Sequence, residues 1–174
     1  KQDEYNPLVY KAKKVMQDYQ YQKDGVYSHF DSSIAGRYYA LCDLATAYHA
    51  MGWINIRFYF NFETEKMETI GYDAYTILEW GKPYLGHKAL KANLDPFHTE
   101  MIIYTALLDS AIYREYSRTL DRITTEVYVD EFMEKHTDNL KFLEGQIQKE
   151  YADYHYNYNF LSDRAKEIRD FRRQ

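Results

Sequence analysis

Between Val129 and Ile168, the residues Val129, Met133, His136, Leu140, Leu143, Ile147, Tyr151, Tyr154, Tyr158, Leu161, Ala165 and Ile168 follow one another at steps of four and three. That spacing returns side chains to one helix face, so the segment reads as a heptad seam. Its single irregularity, two consecutive steps of four around Ile147, acts as a stutter that relaxes supercoiling. Charge agrees: Glu126, Asp130, Glu131 and Glu134 gather near the start and Arg164, Lys166, Arg169, Arg172 and Arg173 near the end, complementing the helix dipole. The expectation is one long, coiled-coil-like helix over 126–174 that packs on a helical core over 1–125 and extends from it. At 1.5 Å per residue such a helix runs on the order of 60 to 70 Å, longer than a domain of this size is wide. A break, if present, belongs in the polar and aromatic run 153–159, where asparagine and tyrosine are mediocre helix formers.

Upstream, 3 Pro and 7 Gly leave few breakers for the turns of a β-sandwich. Pro7 suits a helix start, and Leu8, Ala12, Val15, Met16 and Tyr19 follow at helical spacing until Gly25. Ser28, Asp31, Ser32 and Ser33 are start signals for a second helix, with Ile34, Tyr38, Leu41, Ala45, Tyr48 and Met51 as its stripe and Gly52 as its end. A further helix is expected over 65–80, stopped by Gly81 and Pro83, then a short one over 87–94. Asp95 before Pro96 predicts a helix running to Ile123 with Met101, Tyr104, Leu108, Ala111 or Ile112, Tyr116, Leu120 and Ile123 inward. The fold class is therefore all-α, with five or six helices in antiparallel hairpins. One stretch dissents: INIRFYFNF over 54–62 alternates strictly, as a half-buried strand does. A lone strand leaves its backbone unpaired, and only TTEVYV over 124–129 looks competent to pair with it. A buried helix is preferred at 54–62, with a short β pair between 54–62 and 124–129 as the alternative.

Leu44, Ala45, Tyr48 and Gly52 in LATAYHAMG resemble the first helix of a tetratricopeptide repeat. The likeness covers about a dozen residues. The second helix of that repeat would place small and aromatic residues where this chain has Arg57, Asn61 and Thr64, and no second copy follows. The resemblance thus implies a generic helical hairpin, without the family's peptide-binding role.

A formal net charge of −5 disfavours indiscriminate nucleic-acid binding, which rests on neutralised phosphates. The most apolar region, 38–62, carries Asp43, His49, Asn55 and Arg57, too many polar groups for a membrane span. Cys42 alone cannot form an intramolecular disulfide and reads as a small buried hydrophobe. The six histidines contain no pair at three or four residues' separation, and none has the Glu-x-x-His pattern of a di-iron bundle. Asp95 beside His98 reads as a helix cap. No glycine-rich phosphate loop or nucleophile turn occurs, so neither catalysis nor a cofactor or metal is expected. Lys1 in place of Met is compatible with a processed chain, and an intracellular or organellar compartment is slightly favoured.

What remains is surface. The 20 Tyr and 9 Phe supply rings with an apolar body, the tyrosines with a polar tip as well, suited to a half-wet interface. Tyr151, Tyr154, Tyr156, Tyr158 and Phe160 are the candidate protein contacts. Arg114, Arg118 and Arg122 stack at steps of four and repel one another unless anions lie alongside. Glu115, Asp121 and acids of a neighbouring helix are the internal answer; the external ones are an acidic partner protein, a phospholipid headgroup or a nucleic-acid backbone, in that order. The expected role is a non-catalytic structural or accessory subunit binding other protein subunits. The alternatives are an adaptor with a groove near Tyr38, Tyr48, Trp53 and Tyr75, or a small-molecule-binding or enzymatic helical domain.

Overall fold

The computed structural model describes residues 6–52, 55–76, 86 and 105–174. These residues are mostly helical, with one small two-stranded antiparallel sheet. Helix α1 (Pro7–Gln20) starts where the Asn6 side chain accepts the Leu8 N–H at 3.0 Å. Its expected face is inward: Val15 and Tyr19 are buried, Leu8 and Ala12 half-buried, and only Met16 turns outward. Tyr19 centres an aromatic cluster, with ring centroids 5.5 Å from Phe30 and 5.0 Å from Phe58. Part of the chain's unusual aromatic content is therefore spent inside the molecule.

Helix α2 (Ser32–Leu44) is capped by Asp31, whose carboxylate accepts the Ile34 N–H at 2.8 Å. It ends earlier than the expected Gly52. Thr46 takes a left-handed φ of 50°, the Ala47 N–H reaches back to the Cys42 carbonyl at 2.8 Å, and a 3-10 turn, Tyr48–Met51, follows. The tetratricopeptide likeness fails here, because Leu44, Ala45, Tyr48 and Gly52 do not share one helix and the next element is a strand. The inward face of α2 also differs from the expected stripe. It consists of Ala35, Gly36, Tyr39, Ala40, Cys42 and Asp43, while Leu41 is 50% exposed. Small residues win that face because another helix crosses it closely. A Cβ at Gly36 would lie 2.7 Å from the Tyr116 N and 2.8 Å from the Ile112 carbonyl oxygen.

That second helix is α3 (Ser110–Ile123), whose buried Ile112, Tyr116, Leu120 and Ile123 are as expected. It does not run unbroken from Asp95: Ala106–Leu108 forms a 3-10 turn, and an extended Asp109 caps α3 through the Ala111 and Ile112 N–H groups. Leu108, expected inside, is 62% exposed. The expectations at 77–85 and 87–104 lie outside the described residues.

Strands β1 (Arg57–Asn61) and β2 (Lys66–Ile70) pair antiparallel, with Arg57 opposite Ile70 and Asn61 opposite Lys66. The alternation at 54–62 is thus a strand and not a buried helix, with Ile56 and Phe60 buried and Phe58 half-buried. Its partner is not 124–129, where Thr124 and Thr125 are the caps between two helices. It is the segment expected to begin a helix at Glu65. Local chemistry makes the turn: the Asn61 side chain accepts the Glu63 and Thr64 N–H groups at 2.9 and 3.2 Å, and Glu65 adopts a φ of 54°.

The expected single helix over 126–174 is two helices, α4 (Glu126–Ile147) and α5 (Phe160–Arg172), joined by 148–159. The break spans the polar and aromatic run. Glu144 near the end of α4 causes the return, accepting the Tyr156 N–H at 2.9 Å and the Tyr158 hydroxyl at 2.6 Å. Accordingly the seam is buried at its ends, at Val129, Ala165 and Ile168, and open in its middle, where Leu143, Ile147 and Tyr151 are 47%, 40% and 67% exposed. No helix of the described residues is long and apolar enough to cross a membrane.

Candidate interaction surfaces

The position of α5 depends on a buried charge. Asp43, fully buried on α2, accepts hydrogen bonds from the Tyr48 hydroxyl through Oδ1 and from the Tyr116 hydroxyl through Oδ2, both at 2.5 Å. Arg164 of α5 donates from Nη2 to Asp43 Oδ1 at 3.1 Å and to the Tyr48 oxygen at 2.6 Å, and from Nε to the Asp43 carbonyl at 3.1 Å. Its Nη1 meets Glu167 at 2.6 Å. Burial opposes the Arg164 charge, but Tyr48, Asp43 and Glu167 outweigh it and hold the guanidinium above its ordinary pKa. Burial, with the Asp43 charge, pushes the Tyr116 phenol well up. Both carboxylate oxygens accept hydrogen bonds, and the network clamps α2, α3 and α5 together. Tyr48 is consumed in it, which removes that residue from the expected groove; Tyr38 donates to the Ala50 carbonyl, Tyr75 stands 53% exposed and Trp53 lies outside the described residues. Two further clamps tie α5 to the end of α3: Arg172 to Asp121 at 2.7 Å, and Arg169 to the Thr124 carbonyl.

With its far end so anchored, α4 is left nearly bare. Of its 22 residues only Val129 is buried. Phe132, Phe142, Leu143 and Ile147 are 40%, 61%, 47% and 40% exposed, and the His136 ring stacks on Phe132 at 4.5 Å. The five sequence-predicted contact residues divide into two kinds. Tyr151 and Tyr154 stand 67% and 38% exposed and continue the apolar tip of α4. Tyr156, Tyr158 and Phe160 are half-buried, and the first two pack edge-to-face at 5.1 Å beneath Glu144. Nothing in their spacing separates the two kinds; Glu144, the residue that sorts them, lies off the seam and carries no signal in the sequence pattern.

The hydrogen bond between Tyr158 and Glu144 has a defined pH window. Tyr158 first, then the Tyr156 N–H, holds the Glu144 carboxyl below its ordinary 4.5. A depressed carboxyl contributes stability above the unfolded value and loses it as pH falls through the folded one. The same bond, with burial, raises Tyr158 from 10.0 to about 12, so its contribution is full below pH 10 and fades toward pH 12. Tyr156 and Tyr158 should thus stay docked between roughly pH 5 and pH 10 and loosen on either side. Aromatic NMR shifts of the two rings against pH test this. In Glu144→Gln the acid-side transition should vanish; its persistence there would assign it to another group.

Arg114, Arg118 and Arg122 all lie exposed on α3. Arg118 meets Glu115 at 2.6 Å, but Glu115 is shared with Arg37 at 3.2 Å, and Asp121 is taken by Arg172. Arg114 and Arg122 have no ion pair among the described residues. Cys42 is buried, which pushes its thiol up to about 12, and no group of three potential metal ligands occurs among the described residues. A groove of about 540 Å³ runs along α5 past Thr46, Phe160, Lys166 and Phe171. Comparison with known protein families, curated proteins and solved structures returned no match.

Proposed function

We propose that this chain is a non-catalytic accessory or structural protein that docks onto another protein through the distal half of α4 and the aromatic loop after it. The observation that carries the reading is a helix of 22 residues with a single buried side chain, whose end shows Phe142, Leu143 and Ile147 and whose following loop shows Tyr151 and Tyr154, all exposed. Water contact along such a tip is unfavourable by about 25 cal/mol per Å² of apolar surface, and a partner would remove it. Phe132, His136, Leu143 and Ile147 recur at helical spacing, so a partner helix could lie along them in a coiled-coil-like seam, with Tyr151 and Tyr154 as amphipathic anchors at its end. The clamp at Asp43 and the docking of Tyr158 on Glu144 support the reading further, because a preformed surface spares the entropy of ordering on binding.

A photo-crosslinking amino acid placed at Leu143 or Tyr151 of the full chain, in its native cells, should trap one discrete partner. The same probe at Tyr10 or Tyr59, exposed on other faces, should not. The triple variant Leu143→Glu, Ile147→Glu, Tyr151→Glu should keep its thermal unfolding midpoint and lose partner binding by roughly 30-fold or more, the effect of about 2 kcal/mol at an interface centre. Crosslinks equal to those of the control sites, or partner binding untouched by the triple variant, would remove the tip as the contact.

A further inference from the structure

Two ladders of opposite charge occupy successive helices at identical spacing. On α3, Arg114, Arg118 and Arg122 stand at i, i+4 and i+8; on α4, Asp130, Glu134 and Asp138 do the same. Each ladder spans about 12 Å at 1.5 Å per residue. All six residues are exposed, and like charges four apart on a helix destabilise it. Among the described residues Arg118 is paired, with Glu115 at 2.6 Å, while Arg114 and Arg122 have no ion pair. The carboxylates that could answer the arginines are engaged, Asp121 by Arg172 at 2.7 Å and Glu115 by Arg37 and Arg118. Asp130, Glu134 and Asp138 have no ion pair among the described residues. The acidic ladder is also framed by apolar anchors: Val127 and Phe142 lie on the same stripe, three residues before Asp130 and four after Asp138, and are 67% and 61% exposed.

We infer that the two ladders are complementary surfaces for self-association, the arginines of one copy meeting Asp130, Glu134 and Asp138 of a second. The occupant follows from charge and length together. An acidic row of the matching pitch, which the arginine ladder requires, is present on this chain itself, and each copy presents both halves of the contact. Arginine forks take carboxylates two bonds at a time, which fixes the register as well as the sign. Exposed pairs are individually weak, so Val127 and Phe142 supply the apolar part of the contact, and the association is salt-sensitive. This surface adjoins the tip at Phe142, but its charged part does not include Leu143, Ile147 or Tyr151, so the triple tip variant should leave self-association intact.

Sedimentation velocity of the full chain over a concentration series tests the inference. At about 50 mM salt the chain should self-associate, and at about 500 mM, where charges are screened within a few ångströms, the dissociation constant should rise roughly tenfold or more. The variant Arg114→Glu, Arg118→Glu, Arg122→Glu should be monomeric, and so should Asp130→Arg, Glu134→Arg, Asp138→Arg. Mixed in equal amounts, the two should associate again. Where a reversal disturbs folding, as read by circular dichroism, the corresponding Gln and Asn variants should still raise the dissociation constant by roughly tenfold. A wild-type chain that stays monomeric at low salt up to its solubility limit overturns the inference. So does self-association that survives both reversals, or a mixture that stays monomeric. An arginine variant that loses affinity for anionic vesicles with unchanged mass would reassign that ladder to lipid headgroups and overturn it equally.

Discussion

Asp43→Ala is expected to destabilise the fold by about 3 to 5 kcal/mol, the range for removing one partner of a buried ion pair. The substitution takes the buried carboxylate from the Arg164 guanidinium, itself only 4% exposed, leaving it Glu167 alone, and it strips the Tyr48 and Tyr116 hydroxyls of the Asp43 acceptor. Three buried donors lose an acceptor at once. Against a typical total stability of about 5 to 15 kcal/mol, this is a large fraction. Arg164→Met should cost less, because the remaining carboxylate keeps two phenol donors and can take up a proton, while methionine refills the space. Urea unfolding with an unchanged slope would measure both. An Asp43→Ala cost below about 1 kcal/mol, the scale of an exposed ion pair, would show that the network does not brace the helices.

Gly36→Val should cost about 2 to 3 kcal/mol, near the upper end for overpacking a tight contact. The atoms a side chain would meet are the Glu115 Cβ and the Tyr116 N, both at 2.7 Å, and the Ile112 carbonyl oxygen at 2.8 Å, and the two backbone atoms cannot rotate aside as the end of a side chain can. α2 and α3 would have to separate, and the Tyr116 hydroxyl would then draw away from Asp43. Gly36→Ala separates the opposing effects. In an open helix it would stabilise by about 1 kcal/mol through propensity alone. Here that gain should be cancelled or reversed, and a net stabilisation in urea unfolding would mean that the helices do not approach so closely.

How much of this was legible in the sequence depended on the range of the interaction. Caps and local spacing were readable: Pro7 at the start of α1, Asp31 before α2, and the inward Ile112, Tyr116, Leu120 and Ile123 of α3. The alternation of 57–61 was visible as well. Its partner was not, because Lys66–Ile70 mixes charged and apolar residues and is selected by an asparagine turn five residues upstream rather than by its own propensity. The inward face of α2 was misread for a related reason. Helical periodicity locates large apolar residues, whereas this face is defined by the small residues a close crossing demands, and by one aspartate. Asp43 counted in the sequence only against a membrane span, since its cation lies 121 residues away, beyond any spacing rule. The helical period of the seam holds over 129–147 and 161–168 and fails between them, where Tyr151, Tyr154 and Tyr158 stand in a loop. Twelve intervening residues, held by Glu144, turn one stripe into two faces of different exposure.

The distance along the chain between Asp43 and Arg164 also sets an order of events. At about 5 to 20 residues per second, a ribosome needs roughly 6 to 24 s to travel from the first of these codons to the second. Throughout that interval the carboxylate has no cation, and the two tyrosines that bind it, Tyr48 and Tyr116, are themselves added after it. Until Arg164 is added, closing α2 and α3 over an ionised Asp43 carries the cost of a buried charge without its cation. The helix that supplies the cation is thus the keystone of the body, and the final packing of α2 against α3 waits for it.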